Sequence, residues 1–165
     1  MIKHEVAIES ATEAIIEGIY ENLINSWNET NARIFSELFS ESGSMVGFDG
    51  TTASGKQDIY NHLSSIFADH TPGRFVSIVR DIKVLCPSVG LLKAVAGMVP
   101  RGEKQVNPKT NTIQSLVVVS EMGHFRVALF QNTPAAFHGR PQVVEHLTEE
   151  LQKEFDQKKI GESRT

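Results

Sequence analysis

The chain has little that would tie it to a nucleic acid, a membrane or an oxidising compartment. Cys86 is its only cysteine, so no disulfide can form within it and no cysteine pair exists for a metal or a redox couple. Lysine and arginine number 16 against 20 aspartates and glutamates, a net charge of −4. The longest cationic cluster is Lys158-Lys159, far short of the basic stripe that nucleic-acid binding needs, so no nucleic-acid partner is expected. No apolar run approaches membrane-spanning length, so no membrane partner is expected either. Met1-Ile2-Lys3-His4-Glu5 carries an early acid and no apolar h-region, which argues against a signal peptide and for a cytoplasmic location. The sequon Asn28-Glu29-Thr30 is then idle. Internal repeats, low-complexity stretches and linkers are missing as well.

What remains is the composition of one folded unit. At 165 residues the chain can bury one sizeable core, and 40% hydrophobic with 22% charged residues excludes general disorder. Ser10 to Trp27 reads as a helix capped by Ser10 or Thr12, because Ile16, Ile19/Tyr20, Leu23 and Trp27 recur at three- and four-residue spacing. After the break at 28–31, Ile34, Phe35, Leu38 and Phe39 make the apolar face of a second, short helix. Ser44 to Phe48 is a short strand and Asp49-Gly50 a hairpin signal, with Thr51 to Ser54 returning. Lys56 to Ala68 is a third helix. The period then changes to two, giving strands at 75–85, 89–99, 112–120 and 125–132, with a polar connection over Pro100 to Asn111. Loops of that length are often lids or interface elements. Pro141 opens a last helix running to about Phe155. Helices first and strands in a run afterwards predict an α+β domain over 10–157, with flexible ends at 1–9 and 158–165.

Few motifs carry chemistry. Gly50 to Gln57 imitates a P-loop, but Gln57 stands where a magnesium-binding Ser or Thr should follow Lys56, and no βαβ unit surrounds it. Thr51 to Ser54 fit a hairpin strand better, so no nucleotide is expected. No two of the six histidines are three to five residues apart, so no metal site is expected. His62 and His70 share a helix but project about 80° apart. Asp58 and His62 share a helix face, which suits a solvated ion pair. Arg80 and Asp81 are adjacent on a strand and should point to opposite faces of the sheet. Gln114 alternates with Leu116 and Val118, and Asn132 with Ala128 and Phe130. Each would put an amide among apolar side chains, either as a polar group of a pocket or as an amide satisfied by backbone at a strand end.

The order of two helices, a short hairpin, a third helix and a long sheet resembles the nuclear-transport-factor-two-like (cystatin-like) superfamily. Three segments look like its SgcJ/EcaC-type SnoaL-like proteins: Leu38 to Glu41 through Gly47 to Gly50, His62-Leu63 with Ile66 to His70, and Ala128 to Pro141. The likeness spans roughly Ser10 to Leu151. It implies a cone-shaped fold: N-terminal helices on a strongly curved mixed or antiparallel sheet, then a C-terminal helix, enclosing a pocket. Activities in the superfamily range from ketosteroid isomerase, cyclase, dehydratase and epoxide hydrolase to purely structural modules. No redox cofactor is implied by the residues, since there is no dinucleotide fingerprint. Against the isomerase, the general-base aspartate falls at Gly47, the oxyanion tyrosine at Leu23 and the protonated aspartic acid at Gln114, so steroid-type isomerisation is not expected.

The resemblance nonetheless directs Gln114 and Asp49 toward the cavity and His62 to a pocket-lining position. Asp49 and His62 are the proton-transfer candidates, since a histidine suits acid/base work at neutral pH and an aspartate can fix its tautomer. Asp49 also begins a turn that favours aspartate, so its carboxylate has a structural alternative. Trp27, Phe48 and Met98 would be apolar walls, with Gln114 and Asn132 orienting a ligand carbonyl or hydroxyl. His138 could hold the chain entering the last helix. The expected function is a pocket protein for a small apolar molecule, needing no metal, nucleotide or other cofactor. It would act either as an acid/base enzyme of isomerase, cyclase, dehydratase or hydrolase type, or as a noncatalytic binder or assembly module that dimerises through its sheet.

Overall fold

The structure is a computed structural model and describes residues 1–162. Ten elements follow in order: α1 (Ile2–Asn28), α2 (Ala32–Glu37), β1 (Phe39–Val46), β2 (Thr52–Ser54), α3 (Lys56–Asp69), β3 (Arg74–Cys86), β4 (Val89–Val99), β5 (Asn107–Glu121), β6 (His124–Pro134) and α4 (Pro141–Glu162). The strands form one mixed sheet in the order β2-β1-β6-β5-β4-β3. All neighbours are antiparallel except β1 and β6, which run parallel through Met45↔Phe130 and Val46↔Gln131. Register breaks at Val79/Asp81, Val84/Cys86, Ala96/Met98 and Val117/Val118 bend the long strands. The fold is α+β.

The sheet carries helices on both faces. On one, α1, α2 and α3 bury Ile16, Tyr20, Leu23, Phe35, Ile59 and Leu63 against Leu92, Leu116, Val118 and Phe130. On the other, α4 covers Val76, Val99, Val106 and Ala135 with Leu147 and Leu151. Two glycines permit these contacts. A Cβ on Gly90 would lie 2.3 Å from Ile16 Cδ1, and one on Gly97 would lie 3.1 Å from Leu151 Cδ1, so each face has a notch where a helix side chain comes close to the strand.

Several boundaries differ from the sequence reading. The first helix begins at Ile2 and not at Ser10, without a side-chain cap; Thr12 Oγ1 donates within the helix to Ile8 O at 2.9 Å. Its first ten residues are all exposed, so the apolar period there had no packed face to report. The second helix ends at Glu37, so Leu38 is its C-cap and Phe39 already belongs to β1. Strand β5 starts at Asn107, leaving a connection of 100–106 in place of Pro100 to Asn111. Pro108 suggested a loop because it gives no donor, but the ladder survives at a bulge, where Met98 N donates to Thr110 Oγ1 at 3.0 Å. The last helix continues to Glu162, beyond the expected end at Phe155; the final residues of the expected tail, 163–165, lie outside the described residues.

A bulge also overturns the expectation for Arg80 and Asp81. The break between Val79 and Asp81 interrupts alternation, so Arg80 reaches α4, where Nη2 donates to both carboxylate oxygens of Glu150 at 3.0 and 2.9 Å. Asp81 stands in register with Lys93, on that same side of the sheet, and pairs with Lys83 at 3.4 Å. His138 is exposed; the turn into α4 is held by Arg140 N donating to Phe137 O, with the guanidinium 5.5 Å over the Phe137 ring. The P-loop-like run is hairpin strand β2 leading into α3, and Lys56 Nζ lies 3.3 Å from Glu41 Oε1.

Candidate functional site

A cavity of about 470 Å³ opens between α1, α3, the β1–β2 hairpin and strands β4 to β6. Its position follows from how α1 ends. Asn28 clamps the start of β3 with both halves of its amide: Oδ1 accepts from Phe75 N at 2.7 Å and Nδ2 donates to Phe75 O at 3.0 Å. Trp27 Nε1 donates to Gly73 O at 3.1 Å, which turns the indole inward, edge-on to Phe67 at 5.5 Å and against Phe75 at 5.2 Å. Asn31 then caps α2, accepting from Ile34 N at 3.0 Å, and α2 delivers Phe35 to the same wall. Arg101 ties the 100–106 connection over this end, donating to Pro72 O and Asn28 O at 3.0 and 2.6 Å.

Six of the seven residues singled out in the sequence line this cavity: Trp27, Phe48, Asp49, His62, Met98 and Asn132. Phe48, Asp49 and His70 are exposed and mark the mouth, while Phe35, Met45, Leu63, Phe130 and Asn132 are buried and mark the floor. Gln114 is not on the wall. It is wholly buried one layer behind, in register with Asn132 across β5 and β6.

Gln114 is the middle of a directed chain of hydrogen bonds. Tyr20, 1% exposed on α1, donates its hydroxyl to Gln114 Oε1 at 2.5 Å. Gln114 Nε2 donates to Asn132 Oδ1 at 2.9 Å, and Asn132 Nδ2 donates weakly to Val46 O at 3.4 Å. Burial pushes the Tyr20 phenol well above its ordinary value, with Ser77 acting slightly the other way, so Tyr20 is a fixed donor. This tyrosine was read only as a core-face residue. A buried phenol calls for a partner, and that was the available signal.

The two proton-transfer candidates differ in their surroundings. Asp49 is fully exposed in the β1–β2 turn, and its Oδ1 accepts from Thr51 N at 2.9 Å. That bond, then the Thr51 side chain and more weakly the charge of His62, hold its carboxyl below the usual range. A solvated carboxylate of lowered pKa is a weak base. No hydrogen bond or ion pair joins Asp49 to His62 among the described residues, although both line the cavity. His62 is half-buried in the wall on α3. His70 lines the cavity too, which the 80° separation had argued against. It is the C-cap of α3, with φ −157° and ψ 167°, so it has left the helix and the angle does not apply. The shared face of Asp58 and His62 carries no ion pair among the described residues, and no group of three or more His, Cys, Asp or Glu there could hold a metal ion.

Comparison with known proteins decides the fold. The chain is similar to a cystatin-like domain of unknown function from Nostoc punctiforme, with TM-score 0.72 and 18% identity over 94% of this chain and 98% of that one. The chain has the cystatin-like, nuclear-transport-factor-two-like fold. An uncharacterised cystatin-like protein from Caulobacter vibrioides matches with TM-score 0.62 and 18% identity over 78% and 96% of the two chains. A ketosteroid isomerase-like protein from Erwinia carotovora atroseptica matches with TM-score 0.58 and 11% identity over 75% and 96%. No family model matches the chain. No curated protein matches it either. At these identities the neighbours speak to the cystatin-like fold alone. No helix among the described residues is long and apolar enough to cross a membrane.

Proposed function

We propose that this chain is a pocket protein for a small, mostly apolar molecule, working in the cytoplasm without a metal or nucleotide. The observation that carries the reading is the cavity itself: about 470 Å³, within the usual size of ligand sites, with an apolar floor interrupted by one amide and a histidine in its wall. In the enzymatic form of the proposal His62 transfers the proton. Asp49, held in its turn, lines the mouth of the same cavity, while Asn132, positioned from behind by Gln114, orients the ligand and Trp27, Phe48 and Met98 enclose it. The reaction class is isomerisation, cyclisation, dehydration or hydrolysis.

A noncatalytic carrier is the second reading, favoured by the exposure of Asp49 and its bond to Thr51. The two are separated by Asp49→Asn and His62→Ala in a thermal-shift screen of apolar ligands, followed by turnover of whichever ligands bind. Ligand shifts that survive both substitutions, without turnover by the native protein, favour the carrier. Turnover lost with His62→Ala favours the enzyme, and a broad library without one stabilising compound removes both.

The sheet further supports a homodimer. Leu91, Val117 and Leu129 stand in one cross-strand row on the side away from α1, half-buried and outside both core clusters. Light scattering at micromolar concentration tests this, with Val117→Glu expected to give a monomer. A native protein that is already monomeric ends the idea.

A further inference from the structure

The direction of the Tyr20–Gln114–Asn132 chain has a chemical consequence at the cavity floor. Among the buried lining residues Asn132 alone is polar, at 8% exposure. Of the half-buried polar groups of the wall, Trp27 Nε1 is engaged by Gly73 O, and the Thr110 hydroxyl donates to Asn107 O at 2.8 Å while accepting from Met98 N; His62 stands on α3, in the wall and not at the floor. An amide can face a ligand with either its oxygen or its nitrogen, and its neighbours choose between them. Tyr20 donates to Gln114 Oε1, so Gln114 turns Nε2 toward Asn132. Asn132 must then accept through Oδ1, leaving Nδ2 as its free end. Of the two hydrogens on that nitrogen, Val46 O takes one at a long 3.4 Å.

We infer that Tyr20, which does not touch the cavity, sets the hydrogen-bonding polarity of its floor, so that Asn132 offers an N–H and the cavity selects apolar molecules whose buried polar atom is an acceptor, such as a ketone or aldehyde carbonyl. Tyr20 is a positioning residue in this scheme and Asn132 the group that meets the ligand. A molecule able only to donate would meet a second donor at the floor and lose its hydrogen bond to water without replacement. The inference rests on the reading of the cavity as a ligand site, and it can fail separately from that reading.

The test uses two bicyclic probes of nearly equal shape, the ketone 2-tetralone and the hydrocarbon tetralin, with dissociation constants measured by calorimetry on the full chain. The native protein should prefer the ketone by about 3- to 10-fold, the ratio one net hydrogen bond gives. Asn132→Leu should bring that ratio to about one while tetralin still binds. Tyr20→Phe removes the donor that orients Gln114, so the amides are free to turn over and the ratio should also fall. A general loosening of the fold would weaken both probes together and leave the ratio unchanged. The carbonyl stretch of bound 2-tetralone gives a second readout: lowered in frequency in the native protein, and returned toward its value in hydrocarbon in both variants. Equal binding of the two probes to the native protein overturns the inference and leaves the cavity a ligand site. A preference that survives Asn132→Leu overturns Asn132 as the donor, and one that survives Tyr20→Phe overturns the role of Tyr20. Binding of neither probe counts against the cavity reading itself.

Discussion

Replacing Tyr20 by phenylalanine deletes one oxygen and keeps the ring in its place among Ile16, Leu23 and Leu116. The volume change is small, so the cost comes from hydrogen bonding. Gln114, at 0% exposure, loses the donor on Oε1 and is out of reach of bulk solvent. A buried acceptor left alone costs about 1–3 kcal/mol, which for a domain of this size lowers Tm by roughly 2–4 °C per kcal/mol. The loss should also depend on pH in one direction. Burial raises the phenol's pKa in the folded state above its ordinary value of about 10. Below that pH both states carry the proton and the group adds no pH dependence. Above it the unfolded chain releases the proton and the folded chain keeps it, so the native protein loses stability with a slope approaching about 1.4 kcal/mol per pH unit. The variant has no such group at this position. Urea unfolding of both proteins between pH 7.5 and 11 should therefore give a gap that is constant to about pH 9.5 and then narrows. Parallel curves up to pH 11, or a variant as stable as the native protein at pH 7.5, would refute the buried hydrogen-bond chain.

Other substitutions probe the helix–sheet contacts and the cavity. Gly90→Ala brings a Cβ within 2.3 Å of Ile16 Cδ1, and Ile16, at 0% exposure, has no open space to swing into. Denaturant unfolding should show a loss of about 1–3 kcal/mol, and pairing the change with Ile16→Val, which removes that carbon, should recover most of it. Arg80→Ala breaks the bond to Glu150, but both side chains are partly exposed, so at most about 1 kcal/mol is expected, shrinking in high salt. Trp27 is the only tryptophan and lines the cavity, so a ligand bound there should change its emission. A calorimetrically proven ligand that leaves the emission unchanged is bound elsewhere.

How far the sequence carried depended on whether a feature was periodic or relational. Strand β4 was read at its true ends because Val89 to Val99 sits between Pro87-Ser88 and Pro100, two local signals. The wall residues Trp27, His62 and Asn132 were legible from face and resemblance together. The polar chain was not. Counting back from the Met122-Gly123 turn, where Glu121 faces His124, puts Gln114 opposite Gln131. The break between Val117 and Val118 skips Ala128 and sets Gln114 opposite Asn132 instead, and nothing local announces a bulge of that kind. Likewise His70 looked like a helical residue because its departure from the helix depends on the extended turn that follows, not on its own type.

The parallel pairing of β1 with β6 bears on how the molecule comes to exist. Phe39 and Val127 are neighbours in the sheet although all four other strands lie between them in the chain. During synthesis α1, α2, β1 and α3 emerge long before the strand that seats them, with Phe35, Phe39 and Met45 lacking most of their final surroundings. Since Phe130 and Asn132 are both floor residues on β6, the cavity cannot form in a nascent or truncated chain that ends before them. The cavity therefore arises only once β6 has joined the sheet, and a ligand that lodged there would hold back the dissociation of β6 and with it the unravelling of the N-terminal half.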